Sequence, residues 1–395
     1  MSMPYYEFFC PVKIIAGHMA LEHIPCELNA LGAHRPMIIT DRGVRGAGLL
    51  DHLQDAFEPT EMRIAAIFDE VPQDSSLIAT RAAVAMYRQF DCDAIIAVGG
   101  GSVIDTSKGV NILVSEGGDD LLAYSGAHNL KKPLKPFLVV PTTSGTGSEV
   151  TLAAVISDTE KNVKLPFLSY FLMPNAAVLD PRMTVTLPRH LTAMTAMDAL
   201  THAIEAWTSL ASNPLSDAFA GSAIRKISSH LSRALENPKD IEARLQLAEG
   251  STLAGIAFSN AMVGLVHAMG HALGAVSHLP HGLCMNLFLP YILEYNLEVN
   301  ADRVGELLLP LAGSDVYYNT PLTQRPRRVI DWISLLRDEL YDRCQLPRTL
   351  KETGKVSQED FERIAEIAIN DGSILFNPKE ADREDIIGIL QRAWM

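Results

Sequence analysis

Cysteine is scarce in this sequence. The 395 residues hold five, Cys10, Cys26, Cys92, Cys284 and Cys344, an odd number with no pair at C-x-x-C spacing. That argues against a disulfide framework or a zinc ribbon, and the cysteines read as small buried hydrophobes in a reducing cytoplasm. No stretch reaches 18 uninterrupted apolar residues, so no membrane-spanning helix is expected. The N-terminal MSMPYYEFFCPVKII lacks the basic start, long apolar core and small-residue cleavage site of a signal peptide. Positive charge is also short: 33 Lys and Arg face 47 Asp and Glu, a formal net charge of −14 with no basic run. A chain this acidic is poorly suited to gripping a phosphate backbone, so nucleic acid is not an expected partner. At 48% hydrophobic and 20% charged, the composition is that of a globular protein rather than a disordered one.

The length predicts two or three domains, and the chain changes character near its middle. Up to about Ile156, short apolar runs alternate with helix-like segments. The runs at 36–41, 64–68, 94–98 and 137–140 read as buried strands, and Ser76–Phe90 has helical periodicity. Such alternation predicts a doubly wound, Rossmann-like parallel sheet, on which ligands sit beyond the carboxyl ends of the strands. After about Leu187, Ala-, Leu- and Met-rich helical segments take over at 191–211, 215–236, 240–258, 262–277, 328–343 and 358–370, with a polar loop expected over Gly313–Arg328. The expected organisation is an α/β domain at 1–186 followed by an all-helical domain at 187–395.

Two loops follow predicted strands. In the first, the strand at 94–98 runs into Gly99-Gly100-Gly101-Ser102 and a helix start. Glycines let the backbone approach a ligand closely, and helix N–H groups favour an anion, which points to a diphosphate. Ser102 with Asp105 also has the S-x-x-D spacing of a capping box, which needs no ligand. The second loop, Pro141-Thr-Thr-Ser-Gly-Thr-Gly-Ser-Glu149, is dense in hydroxyls and glycines and also reads as a plain loop. Asp41 closes the first strand. A carboxylate there can accept from a ribose and repel a 2′-phosphate, favouring NAD over NADP, or can simply cap a helix.

Asp198 and His202 lie four apart in a helical run, one above the other on one face. His267, His271, His278 and His281 crowd a short apolar stretch. A buried imidazole must be hydrogen-bonded or metallated, and the cluster together with the Asp-x-x-x-His face points to a metal. Spacing alone does not choose the ligands: His267 with His271 is a second i, i+4 pair, and His267 with His281 requires a turn at Leu279-Pro280.

Together these motifs resemble the iron-containing (group III) alcohol dehydrogenase family over nearly the full length. The matching pieces are Gly99–Lys108, Pro141–Thr151, Asp198–Glu205, Ala254–Asn260, His267–Gly274 and Pro280–Asn286. The resemblance implies an α/β domain followed by an all-α domain, the dehydroquinate synthase-like architecture. It puts the metal on Asp198, His202, His267 and His281, with Fe²⁺ expected and Zn²⁺ the alternative. His271 then becomes a proton relay and Phe258 a substrate-pocket residue. Cofactor contacts fall on Asp41, Gly99, Gly100, Ser102, Thr142, Thr143, Thr146 and Lys164. Two departures stand out: Val71-Pro72-Gln73-Asp74 where the family often has Asn-Pro, and Ala196-Met197 where a glycine is common before the metal aspartate.

The implied activity is NAD-dependent interconversion of a short-chain primary alcohol or diol and its aldehyde, by hydride transfer from a metal-bound alkoxide. A hydroxyacid–oxoacid transhydrogenase and a metal- and NAD-dependent lyase of the dehydroquinate synthase type are the competing expectations. A cytoplasmic homo-oligomer is implied by the same resemblance.

Overall fold

Nine strands form among the described residues, and in the central ones of the larger sheet residues on both faces find apolar partners. In the computed structural model, which describes residues 5–158 and 163–395, the strands are β1 (Lys13–Ala16), β2 (Pro36–Ile39), β3 (Ala66–Phe68), β4 (Ala94–Gly99), β5 (Gly126–Ala127), β6 (Phe137–Pro141), β7 (Ala153–Asp158), β8 (Val163–Leu168) and β9 (Ala176–Leu179). The larger sheet has the order β1-β9-β6-β4-β2-β3, with every pairing parallel. Ile38, Ile96, Val98, Leu138 and Val140 enter one core cluster. Their neighbours Met37, Ile39, Ile95, Ala97 and Val139 enter another. Burial on both faces is why these strands read as continuous apolar runs rather than alternating ones.

Four of the large sheet's strands match the predicted runs. β1 and β9 do not, nor does the small sheet β5-β8-β7, in which β7 and β8 are antiparallel. β1 is an edge strand with mostly exposed residues, so its sequence carries little apolar signal. The strand order turns at β2, with β3 on one side and β4 on the other, so the carboxyl ends of β2, β4 and β6 are neighbours. Such a switch point is where an open parallel sheet leaves a crevice for a ligand.

The chain divides into two compact units. One comprises Cys10–Leu187 and Lys239–Thr252; the other comprises the N-terminal stretch to Phe9, Pro188–Pro238 and Leu253–Met395. A cut near residue 187 is therefore joined by two exchanges of chain. Lys239–Thr252 belongs with the sheet because Arg244 donates to the Leu187 carbonyl and Thr252 donates to Glu149.

The second unit is helical: Arg189–Thr208, Pro214–Glu236, Leu265–Ser277, His281–Glu306, Leu308–Asn319, Arg325–Cys344, Phe361–Ile369 and Arg383–Ala393. Helix His281–Glu306 had no counterpart in the sequence reading, because Pro290 sits inside it and proline removes a helix hydrogen bond. The loop expected over Gly313–Arg328 is also corrected. Helix Leu308–Asn319 continues past a break at Gly313, and helix Arg325–Cys344 takes Pro326 into its first turn, where no N–H is needed.

Of the cysteines, only Cys92 and Cys284 are buried, and Cys26, near the start of a short helix, is exposed. The expectation of buried cysteines thus fails at Cys26. No single helix among the described residues is long and apolar enough to cross a membrane.

Candidate metal centre and cofactor loops

Helix Arg189–Thr208 is buried along most of its length and carries Asp198, His202 and Glu205 at i, i+4 and i+7, on one face. Helix Leu265–Ser277 supplies His267 and His271 and ends at His278 in the left-handed conformation, φ 54°. Pro280 then caps the next helix, whose first residue is His281. The turn at Leu279-Pro280 therefore returns His281 to His267, with ring centroids 5.5 Å apart. Gly282 is required for this return, since a Cβ there would lie 2.4 Å from the Met194 carbonyl oxygen.

Four donors converge. One ligand atom from each of Asp198, His202, His267 and His281 lies within 4.8 Å of every other. From Asp198 Oδ1 the distances are 3.2 Å to His281 Nε2, 3.9 Å to His202 Nδ1 and 4.0 Å to His267 Nε2. Among the described residues, Asp198 Oδ1, His202 Nδ1 and His267 Nε2 are buried without a hydrogen-bond partner that meets bonding geometry. Orphaned buried polar atoms aimed at one point are costly unless something fills that point. A cation with bonds of about 2.0–2.2 Å matches this donor set.

The protonation states suit a metal. Burial raises the Asp198 carboxyl, but the facing imidazoles of His202, His281 and His267 carry it well below the usual carboxylate range. Burial pulls His202 down to about 3, against the attraction of Asp198, and takes His267 well below 6.5. Both imidazoles are thus neutral and have lone pairs to give. The His281 side chain is 41% exposed, so the cluster is open on that side.

Glu205 was not singled out from the sequence, although its i+7 position from Asp198 carried the signal. It accepts from the Val266 N–H at 2.6 Å and lies 2.5 Å from His267 Nδ1. This contact fixes the His267 ring and leaves Nε2 for the donor cluster, a familiar support for a metal-binding histidine. Burial pushes Glu205 up to about 7.

Phe258 stacks on His202 with centroids 4.3 Å apart, so it holds a cluster histidine. His271 is not among the four converging donors; it pairs with Asp371. Ala196 and Met197, where the family often has glycine, are both fully buried.

An acid dependence follows. His202 and His267 are neutral in the fold but take up protons near 6.5 once unfolded, so the unfolded chain binds more protons below that pH. Glu205, Asp105 and Glu149, all raised by burial, act in the opposite sense, but below about pH 4 they are protonated in both states and no longer contribute a slope. There the imidazoles and the Asp198 carboxyl decide, and the metal-free protein should lose stability as pH falls from about 4 toward 3. Thermal midpoints of metal-stripped protein across that range should decline, and a flat profile would contradict the buried neutral imidazoles.

In the sheet unit, the loops bearing Asp41, Gly99–Ser102 and Thr142–Thr146 follow β2, β4 and β6 at their adjacent carboxyl ends. Asp41 Oδ1 accepts from Val44 N at 2.9 Å, so it does cap a helix, and Oδ2 is left over. The capping-box alternative at Ser102 does not hold. Gly100 is the N-cap of helix Gly101–Glu116 and makes no side-chain cap bond. Ser102 Oγ instead donates to the Gln73 carbonyl, while Asp105 accepts from Ser148 Oγ and Val155 N. No side chain therefore caps this helix start.

Packing also explains part of the glycine run. A Cβ on Gly99 would meet Val103 at 2.5 Å, and one on Gly101 would meet Thr146 at 2.9 Å. The two loops lie against each other, with Thr142 N donating to the Gly99 carbonyl. Lys164 is not on these strand ends; it lies exposed in β8, opposite Ser157. Lys108, also overlooked, is buried beneath the second loop and donates to the carbonyls of Ser148, Thr151 and Ala153.

Residues 11–181 match the family profile described as "Iron-containing alcohol dehydrogenase", and residues 192–394 match "Fe-containing alcohol dehydrogenase family, C-terminal". The 1,3-propanediol dehydrogenase of Klebsiella pneumoniae is 34% identical over 396 residues, covering all of both chains. The NAD-dependent methanol dehydrogenase of Bacillus methanolicus is 33% identical, covering 98% of this chain and 99% of its own. A crystal structure of 1,3-propanediol oxidoreductase superposes with a TM-score of 0.93 at 34% identity, covering 99% of this chain and all of the other. Profile matches to both halves, with relatives at this identity along the whole length, show the family: the chain is an alcohol oxidoreductase belonging to the iron-containing alcohol dehydrogenase family.

Proposed function

We propose that this chain is an NAD-dependent dehydrogenase that interconverts a short-chain primary alcohol or diol and its aldehyde. We further propose that Asp198, His202, His267 and His281 hold its divalent cation. The observation that carries the reading is the convergence of three buried, unpartnered donor atoms with His281 Nε2 beside them. Fe²⁺ is the proposed ion, with Zn²⁺ as the alternative that raw affinity favours. Such an ion, when bound, supplies Lewis acidity that makes a hydroxyl a stronger acid.

This chain's own residues do the rest. Glu205 holds His267 in place. Phe258 lines the substrate side, and His271, 44% exposed, takes the departing proton toward solvent. The α/β unit binds NAD: the N–H groups at Gly99, Gly100 and Ser102 face the diphosphate, Thr142, Thr143 and Thr146 supply hydroxyls, and Lys164 adds a charge. Asp41 Oδ2 accepts from the ribose, which disfavours a 2′-phosphate. Small substrates and NAD are supported by relatives named for propanediol and for NAD-dependent methanol oxidation. A cytoplasmic homo-oligomer completes the proposal.

The test is anaerobic. Metal-stripped protein is reloaded with Fe²⁺ or Zn²⁺, and NADH formation is followed over a panel of short alcohols and diols. Metal-dependent NADH formation is expected, highest among the short primary substrates. Silence with every alcohol, despite bound metal and NAD, would turn the assignment toward a transhydrogenase or lyase.

A further inference from the structure

One histidine of the cluster has a carboxylate of its own. His271 Nδ1 lies 2.8 Å from Asp371 Oδ2, a hundred residues away in sequence. The two meet because helix Phe361–Ile369, which ends just before Asp371, packs against helix Leu265–Ser277. The other oxygen, Asp371 Oδ1, accepts from Ser373 N at 2.8 Å and caps the turn Gly372–Phe376. The carboxylate is therefore held by backbone on one side and offers its second oxygen to the imidazole. Burial raises Asp371, but its hydrogen bond with His271 carries it well below the usual carboxylate range.

An ionised carboxylate only accepts hydrogen bonds, so a neutral His271 facing it carries its proton on Nδ1 and keeps its lone pair on Nε2. The ring also stacks on His281, centroids 5.3 Å apart, and meets His267 edge-on at 5.8 Å. It thus stands at the edge of the donor cluster, in a fixed orientation, partly open to solvent.

We propose that Asp371 is a positioning residue for the dehydrogenase reaction, holding His271 in the tautomer and orientation in which Nε2 accepts the proton of the substrate hydroxyl. The proposal rests on the reading of His271 as the proton relay. As the alcohol is oxidised, its hydroxyl proton passes to Nε2, and the hydride on its carbinol carbon passes to NAD⁺. The aldehyde, NADH and an imidazolium beside the Asp371 carboxylate result, and the imidazolium then releases its proton to solvent. Asp371 keeps its charge throughout.

A capping role alone would also account for Asp371, and one substitution separates the two. In Asp371→Asn the amide oxygen still accepts from Ser373 N, so the turn remains capped. Its NH₂ group then faces His271 Nδ1 and requires an acceptor there, which moves the ring proton to Nε2 and removes the base. General acid–base groups contribute about 10²–10⁴-fold, so kcat of Asp371→Asn should fall by about 10² or more. Metal content and the KM for NAD should stay at the wild-type level.

The second arm is a double-mutant cycle on kcat and kcat/KM, with a short primary alcohol that the wild type oxidises. Asp371→Ala and His271→Ala should each slow the enzyme, and the double variant should be no slower than His271→Ala. Wild-type kcat in Asp371→Asn with a slow His271→Ala overturns this proposal alone. So do losses that multiply in the double variant, or loss of metal from Asp371→Asn. Wild-type kcat in His271→Ala overturns the relay reading itself, and the proposal with it.

Discussion

His267→Ala should emerge from dialysis without its metal and with turnover reduced by about a thousandfold or more, whereas His271→Ala should keep its metal and lose rate. The two histidines sit one helical turn apart, yet their surroundings differ. His267 is 2% exposed, has Nδ1 against Glu205 and has Nε2 among the converging donors. Its removal takes one ligand of four and leaves Glu205 buried without its ring partner. His271 is partly exposed and spends Nδ1 on Asp371. Elemental analysis of the purified variants, beside kcat, reads the difference. If His271→Ala loses the metal as fully as His267→Ala, the ligand set is wrong.

The second large effect is expected in the sheet unit. Lys108→Met should destabilise the protein by about 3–5 kcal/mol, because it removes one member of a buried charge cluster and leaves the others behind. The ammonium has three N–H donors, and three carbonyls take them: Ser148 at 2.9 Å, Thr151 at 2.9 Å and Ala153 at 2.7 Å. Burial lowers Lys108 to about 8, opposed by Asp105 and Glu149, so it is still charged at neutral pH. Burial in turn raises Asp105 and Glu149, and Lys108 is among the groups holding them down.

Methionine would fill much of the volume but orphan the three carbonyls and leave both carboxyls uncompensated. Because those carbonyls border the Thr142–Thr146 loop, NAD affinity should fall together with stability. Denaturant midpoints and calorimetric titration with NAD would measure the two. An unchanged midpoint with unchanged affinity would mean that Lys108 supports neither the fold nor the loop.

Some of the site was readable because it depends on one helix. Asp198 and His202 share a face by spacing alone, and Glu205 continues that face. The three loops at the strand ends were readable for a similar reason: a buried parallel strand announces itself as an apolar run, and the ligand-facing residues come next in the chain. Spacing misled where a short polar motif had two uses. Ser102 and Asp105 have the pattern of a capping box, but each bonds to a different strand or loop instead. Proline misled in the helical half, where Pro290 lies inside a helix and Pro326 opens one.

What the sequence determined by itself is local: strand and helix periods, the Asp-x-x-x-His face, the glycine and threonine loops, and hence the class of cofactor chemistry. Which of His267, His271 and His281 joins Asp198 was a tertiary decision, made by the turn at Leu279-Pro280 and by the close approach that Gly282 permits. The supports were tertiary as well. Asp371 reaches His271 across a hundred residues, and Lys108 reaches carbonyls some forty residues away. Hydrogen bonds act over about 3 Å, and only helix packing and sheet order bring such distant residues that close.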